Sequence, residues 1–230
     1  GNWQAAYTAF DEAARLEPLF LPVIVKRKAD LVQAKSGPDT VLAQVKPLIQ
    51  SDKLDAALAI VAGAQRAHPA ERGYDDLAAG LGKLKNIERS LGKDGLQATL
   101  DRGIQNGEQA SRMEGMDRFG RRLVERLQAL KTDCATAVAE ARQNILDGKY
   151  AALDGPAGQV GQTAQQAAEK MSNAGIHYQE QARDEDKGVD IRGPFGVRVG
   201  KKGDRDKAAR YRHIASTFEE LRQEALRYSR

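Results

Sequence analysis

Apolar residues recur at every third or fourth position over long stretches of the chain, and this spacing constrains the fold more than any other sequence feature. We call each such series a seam. The first seam consists of Met116, Leu123, Leu127, Leu130, Cys134, Val138, Ala141 and Ile145. The second consists of Val160, Ala164, Ala167, Met171, Ala174 and Tyr178, and the third of Ala208, Tyr211, Ala215, Phe218, Leu221, Ala225 and Tyr228. A period near 3.5 residues places one seam on one side of an α-helix, so the sequence predicts an all-α fold with buried seams.

The seams predict three long helices that share one core. The first seam predicts a helix over residues 108–147, about 60 Å long at the rise of an α-helix. An Asp-Gly-Pro sequence at residues 154–156 predicts the turn after it, and the second helix completes a long antiparallel coiled-coil hairpin over residues 108–184. Asp204 is expected to cap the last helix, over residues 204–229.

Composition favours helices and limits the classes of function. Of the 230 residues, 41% are hydrophobic, which is enough for a core, but only 5% are aromatic and 30% are charged. This mixture favours helix over sheet. Cys134 is the single cysteine, so no disulfide can form within the chain, and a cytoplasmic location is expected. The strongest apolar run, at residues 19–25, is too short to span a bilayer, so no membrane span is expected.

Residues 1–70 carry a second pattern, which occurs twice. The first copy follows Gly1-Asn2 and consists of Trp3, Ala6, Phe10, Ala13 and Pro18. The second copy starts 51 residues later and consists of Leu54, Ala57, Val61, Ala64 and Pro69. This register resembles the second helix of a tetratricopeptide repeat. The resemblance implies stacked helical hairpins that bury these packing positions and offer a docking surface to a protein partner.

The separation of 51 residues equals one 34-residue repeat of that family plus half of another, so it predicts an extra helix between the copies. We expect one amphipathic helix at residues 20–34 and another at residues 40–50. A turn at Gly37-Pro38 separates them, and Asp39 caps the second. The helix that would precede the first copy is missing, so the chain is expected to be part of a longer protein.

One segment departs from the helical pattern. Apolar and polar residues alternate on both sides of a Gly-Pro-Phe-Gly turn, which predicts a short β-hairpin over residues 189–199. Residues 191–230 also carry eleven Lys or Arg against five Asp or Glu. A candidate anion or nucleic-acid patch consists of Arg192, Arg198, Lys201, Lys202, Arg205, Lys207, Arg210 and Arg212. Solvated surface charge explains the same cluster, and an acidic protein partner is a further alternative.

No constellation of residues in the sequence indicates catalysis. His68, His177 and His213 lie far apart in the chain, so the spacing of a helical metal site is absent. Cys134 lies on the first seam, where a cysteine acts as a small hydrophobic residue. The glycines around residues 193–203 lack the spacing and the hydroxyl group of a phosphate-binding loop. We therefore predict no catalytic, cofactor-binding or metal site and do not expect an enzyme.

These patterns predict two domains. Residues 1–91 form the TPR-like region, which ends with a helix at residues 71–91. Residues 92–230 form the helical bundle, which begins with a helix at residues 94–109 and includes the hairpin and the C-terminal helix. We expect a non-catalytic protein–protein interaction or scaffold module, with a protein partner and with self-association through the coiled-coil seams as an option. The alternatives are a nucleic-acid-binding module that uses residues 192–212 and a helical accessory domain of a larger enzyme.

Overall fold

The computed structural model describes residues 3–113, 115–187 and 204–229, apart from the side chains of residues 3, 4, 7, 18 and 28–36. These ranges contain eight α-helices and no strand, so the all-α prediction is confirmed. The helices are α1 (Trp3–Leu16), α2 (Leu21–Gln50), α3 (Leu54–Ala67), α4 (Arg72–Leu91), α5 (Leu96–Ser111), α6 (Asp117–Leu146), α7 (Asp154–Lys187) and α8 (Arg205–Arg227). Short 3-10 helices, Pro18–Phe20 and Tyr150–Leu153, precede α2 and α7. The β-hairpin predicted at residues 189–199 lies outside the described residues.

The chain divides into two compact units. The first comprises Gly1–Lys83 and Arg142–Ala151, and the second comprises Leu84–Ala141 and Ala152–Arg230. The division into domains at residues 1–91 and 92–230, made from the sequence, stays a prediction. No helix in the described ranges has both the length and the apolar character needed to cross a membrane.

In the first unit, α2 is one helix of 30 residues, so the predicted turn at Gly37-Pro38 and the predicted cap at Asp39 are wrong. A proline removes one backbone donor, but its φ is compatible with a helix, and a helix continues past it when other contacts offset the loss. Those contacts come from the start of α4. The backbone of Gly73 lies so close to α2 that an added Cβ would be 2.6 Å from Pro38 Cγ.

The single helix predicted over residues 108–147 is wrong, because this range contains the end of α5 and the whole of α6. α5 ends at Ser111, and Gly115 adopts a φ of +83°, a backbone conformation that favours glycine. α6 then folds back along α5. The two helices approach so closely that an added Cβ on Gly120 would lie 2.6 Å from Ser111 Cβ. The pattern of apolar residues did not predict this reversal, since it runs through both helices.

The turn predicted at residues 154–156 is also displaced along the chain. Gly148 makes the turn, with a φ of +70°, and the 3-10 helix Tyr150–Leu153 follows it. Residues 154–156 instead form the first turn of α7. Pro156 is compatible with this place because the first backbone N–H groups of a helix have no acceptor within it.

The four helices α5 to α8 form a bundle with antiparallel neighbours. Two contacts show that α7 and α8 pack antiparallel. An added Cβ on Gly161 would lie 3.5 Å from the carbonyl oxygen of Ser229, just after α8, and one on Gly175 would lie 3.5 Å from the carbonyl oxygen of Ala215. α5 contacts α8 through the amide of Asn106, whose Nδ2 donates to a main-chain carbonyl of α8 over 3.4 Å. Helices that pack in this way bury one shared core.

Apart from Ile145, which belongs to the first unit, the seam residues lie in the second unit and supply that core, as their spacing predicts. Every seam residue is buried except Val138, Val160 and Tyr228, which are half-buried. The residues that cover the seams belong to the same chain, so these surfaces are occupied within a single copy.

Candidate interaction surfaces

Six large apolar side chains are exposed around the junction of α1 and α2, and we call them the apolar corner. They are Leu16 (70% exposed), Leu19 (86%), Phe20 (59%), Leu21 (49%), Val23 (56%) and Val25 (59%). Other exposed large apolar side chains in the described part of the chain, Ile60 and Ile176, stand singly in other helices. Scattered exposed apolar residues are normal on a protein surface, whereas six large ones within ten consecutive residues make this junction a candidate contact surface.

The local sequence explains why the corner is exposed. The backbone N–H of Phe20 donates to the carbonyl of Glu17 over 3.1 Å, which closes the 3-10 turn after α1. α2 starts at the next residue with a proline in its first turn, where the missing donor costs nothing. Ile24 is buried, but Leu21 and Val25, one helical turn apart, remain exposed beside it.

Charged residues of opposite sign flank the apolar corner. Glu12, Arg15 and Glu17 lie on its α1 side, and Lys26 and Arg27 follow it on α2. All five residues are exposed. The corner therefore has charges of both signs on its α1 side and basic residues on its α2 side.

The positions predicted to pack as repeats differ between the two copies. In α3, Leu54, Ala57 and Val61 are buried and Ala64 is half-buried, and Pro69, just after the helix, is exposed. In α1, Ala6 and Phe10 are half-buried and Ala13 is exposed, and the side chains of Trp3 and Pro18 lie outside the description. The second copy therefore contributes more to the core of the first unit than the first copy does.

The basic patch predicted from the sequence is only partly described. Arg192, Arg198, Lys201 and Lys202 lie outside the described residues. Lys207 Nζ lies 2.8 Å from Glu185 Oε1, and each of these side chains is only 17% exposed. Arg212 forms an ion pair with Asp186. Arg205 and Arg210 are exposed on α8. Lys207 and Arg212 therefore join α8 to α7, which reduces the charge they offer to an external phosphate.

Aromatic rings meet between α6, α7 and α8. The rings of Phe119 and His177 stack with 3.9 Å between their centroids, and Phe119 contacts Tyr178 edge-on at 5.6 Å. Tyr178 also stacks on Tyr211 at 6.1 Å and on Phe218 at 6.0 Å. This arrangement packs the end of the bundle.

A shallow groove runs beside these rings. Arg118, Arg122, His177 and Gln181 are among its lining residues. The one polar group of the cluster that is buried without a hydrogen-bond partner in the described structure, the Tyr178 hydroxyl, does not line this groove. Lys207 and Glu185, which form an ion pair with each other, also line the groove.

Cys134 is fully buried in the second unit. Burial, with a smaller contribution from the neighbouring carboxylate of Asp133, raises the pKa of its thiol to about 12. The thiol is therefore protonated at neutral pH and is a poor nucleophile. Within the described ranges, no cluster of His, Cys, Asp and Glu has the geometry to hold a metal ion.

The sequence signal for the apolar corner is the apolar run at residues 19–25. This run is too short to span a membrane, and all of its residues except Ile24 are exposed in the fold. The fold and these surfaces define the class of an all-α helical-bundle protein. No protein-family model, curated protein or solved structure matches the chain.

Proposed function

We propose that this chain is a non-catalytic protein–protein interaction or scaffold module. In this proposal residues 1–70 act as TPR-like hairpins and the seams of the bundle act as a coiled-coil scaffold. The observation that carries the proposal is the apolar corner, because its six large exposed side chains lie within ten consecutive residues. Surfaces of this kind are buried on binding another protein.

The energetics of burial support the proposal. Full burial of a Val, Leu or Phe side chain contributes about 1.5–3 kcal/mol. At the exposures of the corner, complete coverage would contribute on the order of 5–10 kcal/mol. That gross amount is comparable with the estimated loss of translational and rotational freedom on association, about 4–15 kcal/mol. The corner is therefore large enough to contribute a main part of a specific interface.

A site-specific crosslinker tests the proposal in the complete chain. Benzoylphenylalanine replaces Leu19 in the corner and, in a matched control, Ile176, a singly exposed apolar residue of α7. After irradiation in cells that express the chain, we expect an adduct of one defined mass from position 19 and none from position 176. Mass spectrometry identifies the crosslinked protein, and the purified protein must then bind the chain.

Leu16→Asp provides the second arm of this experiment. Leu16 is 70% exposed, so the substitution leaves the fold intact while it places a charge in the corner. We expect it to weaken the reconstituted binding at least tenfold. Equal adducts at positions 19 and 176, or binding that Leu16→Asp leaves unchanged, would contradict the proposal.

Nucleic-acid binding is the second candidate function. The exposed guanidinium groups of Arg205 and Arg210 favour it, and the ion pairs of Lys207 and Arg212 count against it. Phosphate contacts would make binding weaken steeply as salt rises. A gel-shift assay at low salt with single-stranded RNA and duplex DNA tests this candidate, and absence of a complex with either excludes it.

A further inference from the structure

We propose that the shallow groove where α6, α7 and α8 meet is a binding site for a mononucleotide. In such a ligand a planar base is joined through a sugar to an anionic phosphate, and the groove provides contacts for both ends. All of its lining residues belong to the second unit and none to the apolar corner, so the inference goes beyond the proposed function and does not rest on it.

Each of the three helices lines the groove with residues one helical turn apart. These pairs are Arg118 and Arg122 of α6, His177 and Gln181 of α7, and Lys207 and Tyr211 of α8. Residues four apart share one face of a helix, so each helix presents a continuous strip to the groove. The volume of the groove is about 500 Å³, which is within the range of small-molecule sites.

The groove has an excess of positive charge. Its charged lining residues are Arg118, Arg122, Lys207 and Glu185, so its net charge is +2 with histidine counted as neutral. Lys207 is occupied by Glu185, whereas the two exposed arginines form no ion pair within the described part of the chain. Asp117, in the first turn of α6, pairs with Arg121 instead. Two guanidinium groups one turn apart are suited to a phosphate, because each can donate two parallel hydrogen bonds to its oxygens.

Aromatic surface lies directly beside the arginines. Phe119 follows Arg118 on α6, and its ring stacks on that of His177 with 3.9 Å between the centroids. Both residues line the groove and are half-buried, so part of each remains accessible. Nucleic-acid bases stack on aromatic side chains in this way whatever their sequence. One groove therefore combines a surface for the base with a pair of cations for the phosphate.

The charges beyond the groove favour a single nucleotide over a strand. A second groove adjoins the first at Lys207, which lines both. The other charged residues of the second groove, with histidine again counted as neutral, are two arginines and two aspartates: Arg112, Arg210, Asp204 and Asp206. Their charges balance, so the phosphate of a following nucleotide would find no net attraction there.

Isothermal titration calorimetry of the complete chain with adenosine monophosphate (AMP) tests the site. We expect one molecule bound per chain with a dissociation constant below about 1 mM. Adenosine, which lacks the phosphate, and ribose 5-phosphate, which lacks the base, should each bind at least tenfold more weakly. No binding of AMP at millimolar concentration would refute the site. Binding of either fragment as tight as that of AMP would refute the assignment to a nucleotide.

Two matched arginine variants locate the phosphate. Arg122→Gln removes a guanidinium that lines the groove, and Arg126→Gln removes another exposed guanidinium of α6 that does not line it. The first change should weaken the binding of AMP at least tenfold, and the second by less than twofold. Circular dichroism verifies that both variants are folded. Equal effects of the two substitutions would show that only the general charge of the surface matters, which contradicts the proposal.

Proton NMR of AMP in the presence of the chain tests the stacking. Ring currents of Phe119 and His177 should move the base protons of bound AMP to lower chemical shift. Phe119→Leu keeps an apolar side chain but removes one ring, and should reduce this change by at least half. A base whose signals do not move on binding lies away from the rings, and that result would contradict the proposal.

A short oligoadenylate distinguishes a free nucleotide from a strand of the same chemistry. Its affinity per chain should be within tenfold of that of AMP, because one nucleotide fills the groove. A much tighter complex would show that the ligand is a strand, which refutes the mononucleotide and supports the nucleic-acid candidate. None of these results bears on the apolar corner, whose role is decided by the crosslinking experiment.

Discussion

Replacing Tyr178 with phenylalanine should stabilise the second unit. Tyr178 is fully buried, and its hydroxyl is without a hydrogen-bond partner in the described structure. Burial, with a smaller contribution from Tyr211, raises the pKa of this hydroxyl, so it carries its proton throughout the neutral range. The ring itself is well packed, since it stacks on Tyr211 and Phe218 and meets the edge of Phe119. Tyr178→Phe removes the unpaired polar group and keeps these ring contacts.

The expected magnitude follows from the two terms that change. A buried polar group without a partner costs about 1–3 kcal/mol, and its removal recovers that amount. The void left by one oxygen atom costs a fraction of this, because cavity costs scale with volume. We therefore expect the free energy of unfolding to rise by about 1 kcal/mol. For a chain of this length, such a change corresponds to a rise in Tm of about 2–4 °C.

Urea denaturation followed by circular dichroism at 222 nm measures this change. The midpoint should rise while the slope of unfolding free energy against urea stays constant, since little additional surface is exposed. Tyr178→Leu, which also removes the ring stacking, should instead lose about 3 kcal/mol. Tyr228→Phe, at a half-buried tyrosine near the end of the chain, should change stability by less than about 0.5 kcal/mol. A loss of more than about 1 kcal/mol in Tyr178→Phe would show that the hydroxyl has a partner, and would refute the reasoning.

Three further predictions concern glycine positions, the buried thiol and the cap of α8. Gly82→Ala should add about 1 kcal/mol to the free energy of unfolding, because an added Cβ meets nothing within 4 Å and alanine favours helix. Gly120→Ala should instead lower the free energy of unfolding by about 1–3 kcal/mol, because the new Cβ clashes with the Ser111 backbone. Thermal unfolding distinguishes the two variants. The pKa of Cys134 is raised in the folded chain, so its contribution to the free energy of unfolding is complete below about pH 9 and is lost as the pH rises toward 12. Urea titrations between pH 9 and 11 should therefore show a free energy of unfolding that falls with pH, and the fall should be less steep in Cys134→Ala by about 1.4 kcal/mol per pH unit. Equal slopes in the two chains would contradict this. Asp204 accepts hydrogen bonds of 3.0 Å from two backbone N–H groups at the start of α8, so Asp204→Ala should lose about 1 kcal/mol, which hydrogen exchange in the first turn of α8 would localise.

The sequence shows which residues belong to the apolar corner, but it does not show that they are exposed. The apolar run at residues 19–25 is visible in the sequence, and so are the charged residues on either side of it. Periodicity assigned residues 20–34 to an amphipathic helix, and an amphipathic helix normally buries its apolar side. Whether Leu21 and Val25 are covered depends on which helices reach them, and spacing along the chain does not contain that information.

The basic patch is a second case in which the sequence shows the residues but not their surroundings. The sequence placed Lys207 and Arg212 in a cluster of cations that could bind phosphate. In the fold, the antiparallel packing of α7 and α8 brings Glu185 and Asp186 to these two side chains. The acidic partners lie more than twenty residues away in the sequence, so only the tertiary structure could show that these charges are neutralised within the chain.

The sequence by itself determined that the chain is helical and which residues form the core of the bundle. It could do so because helix period and apolar spacing are local properties, and a residue such as Leu127 or Phe218 is buried whichever helix covers its seam. Only the tertiary structure decided where helices continue or reverse: α2 passes through Gly37-Pro38, and the chain turns back at Gly115. Those outcomes depend on packing between helices, such as the close approach of Gly73 to Pro38 and of Gly120 to Ser111. This packing decides whether the local preference of a residue for helix or turn prevails.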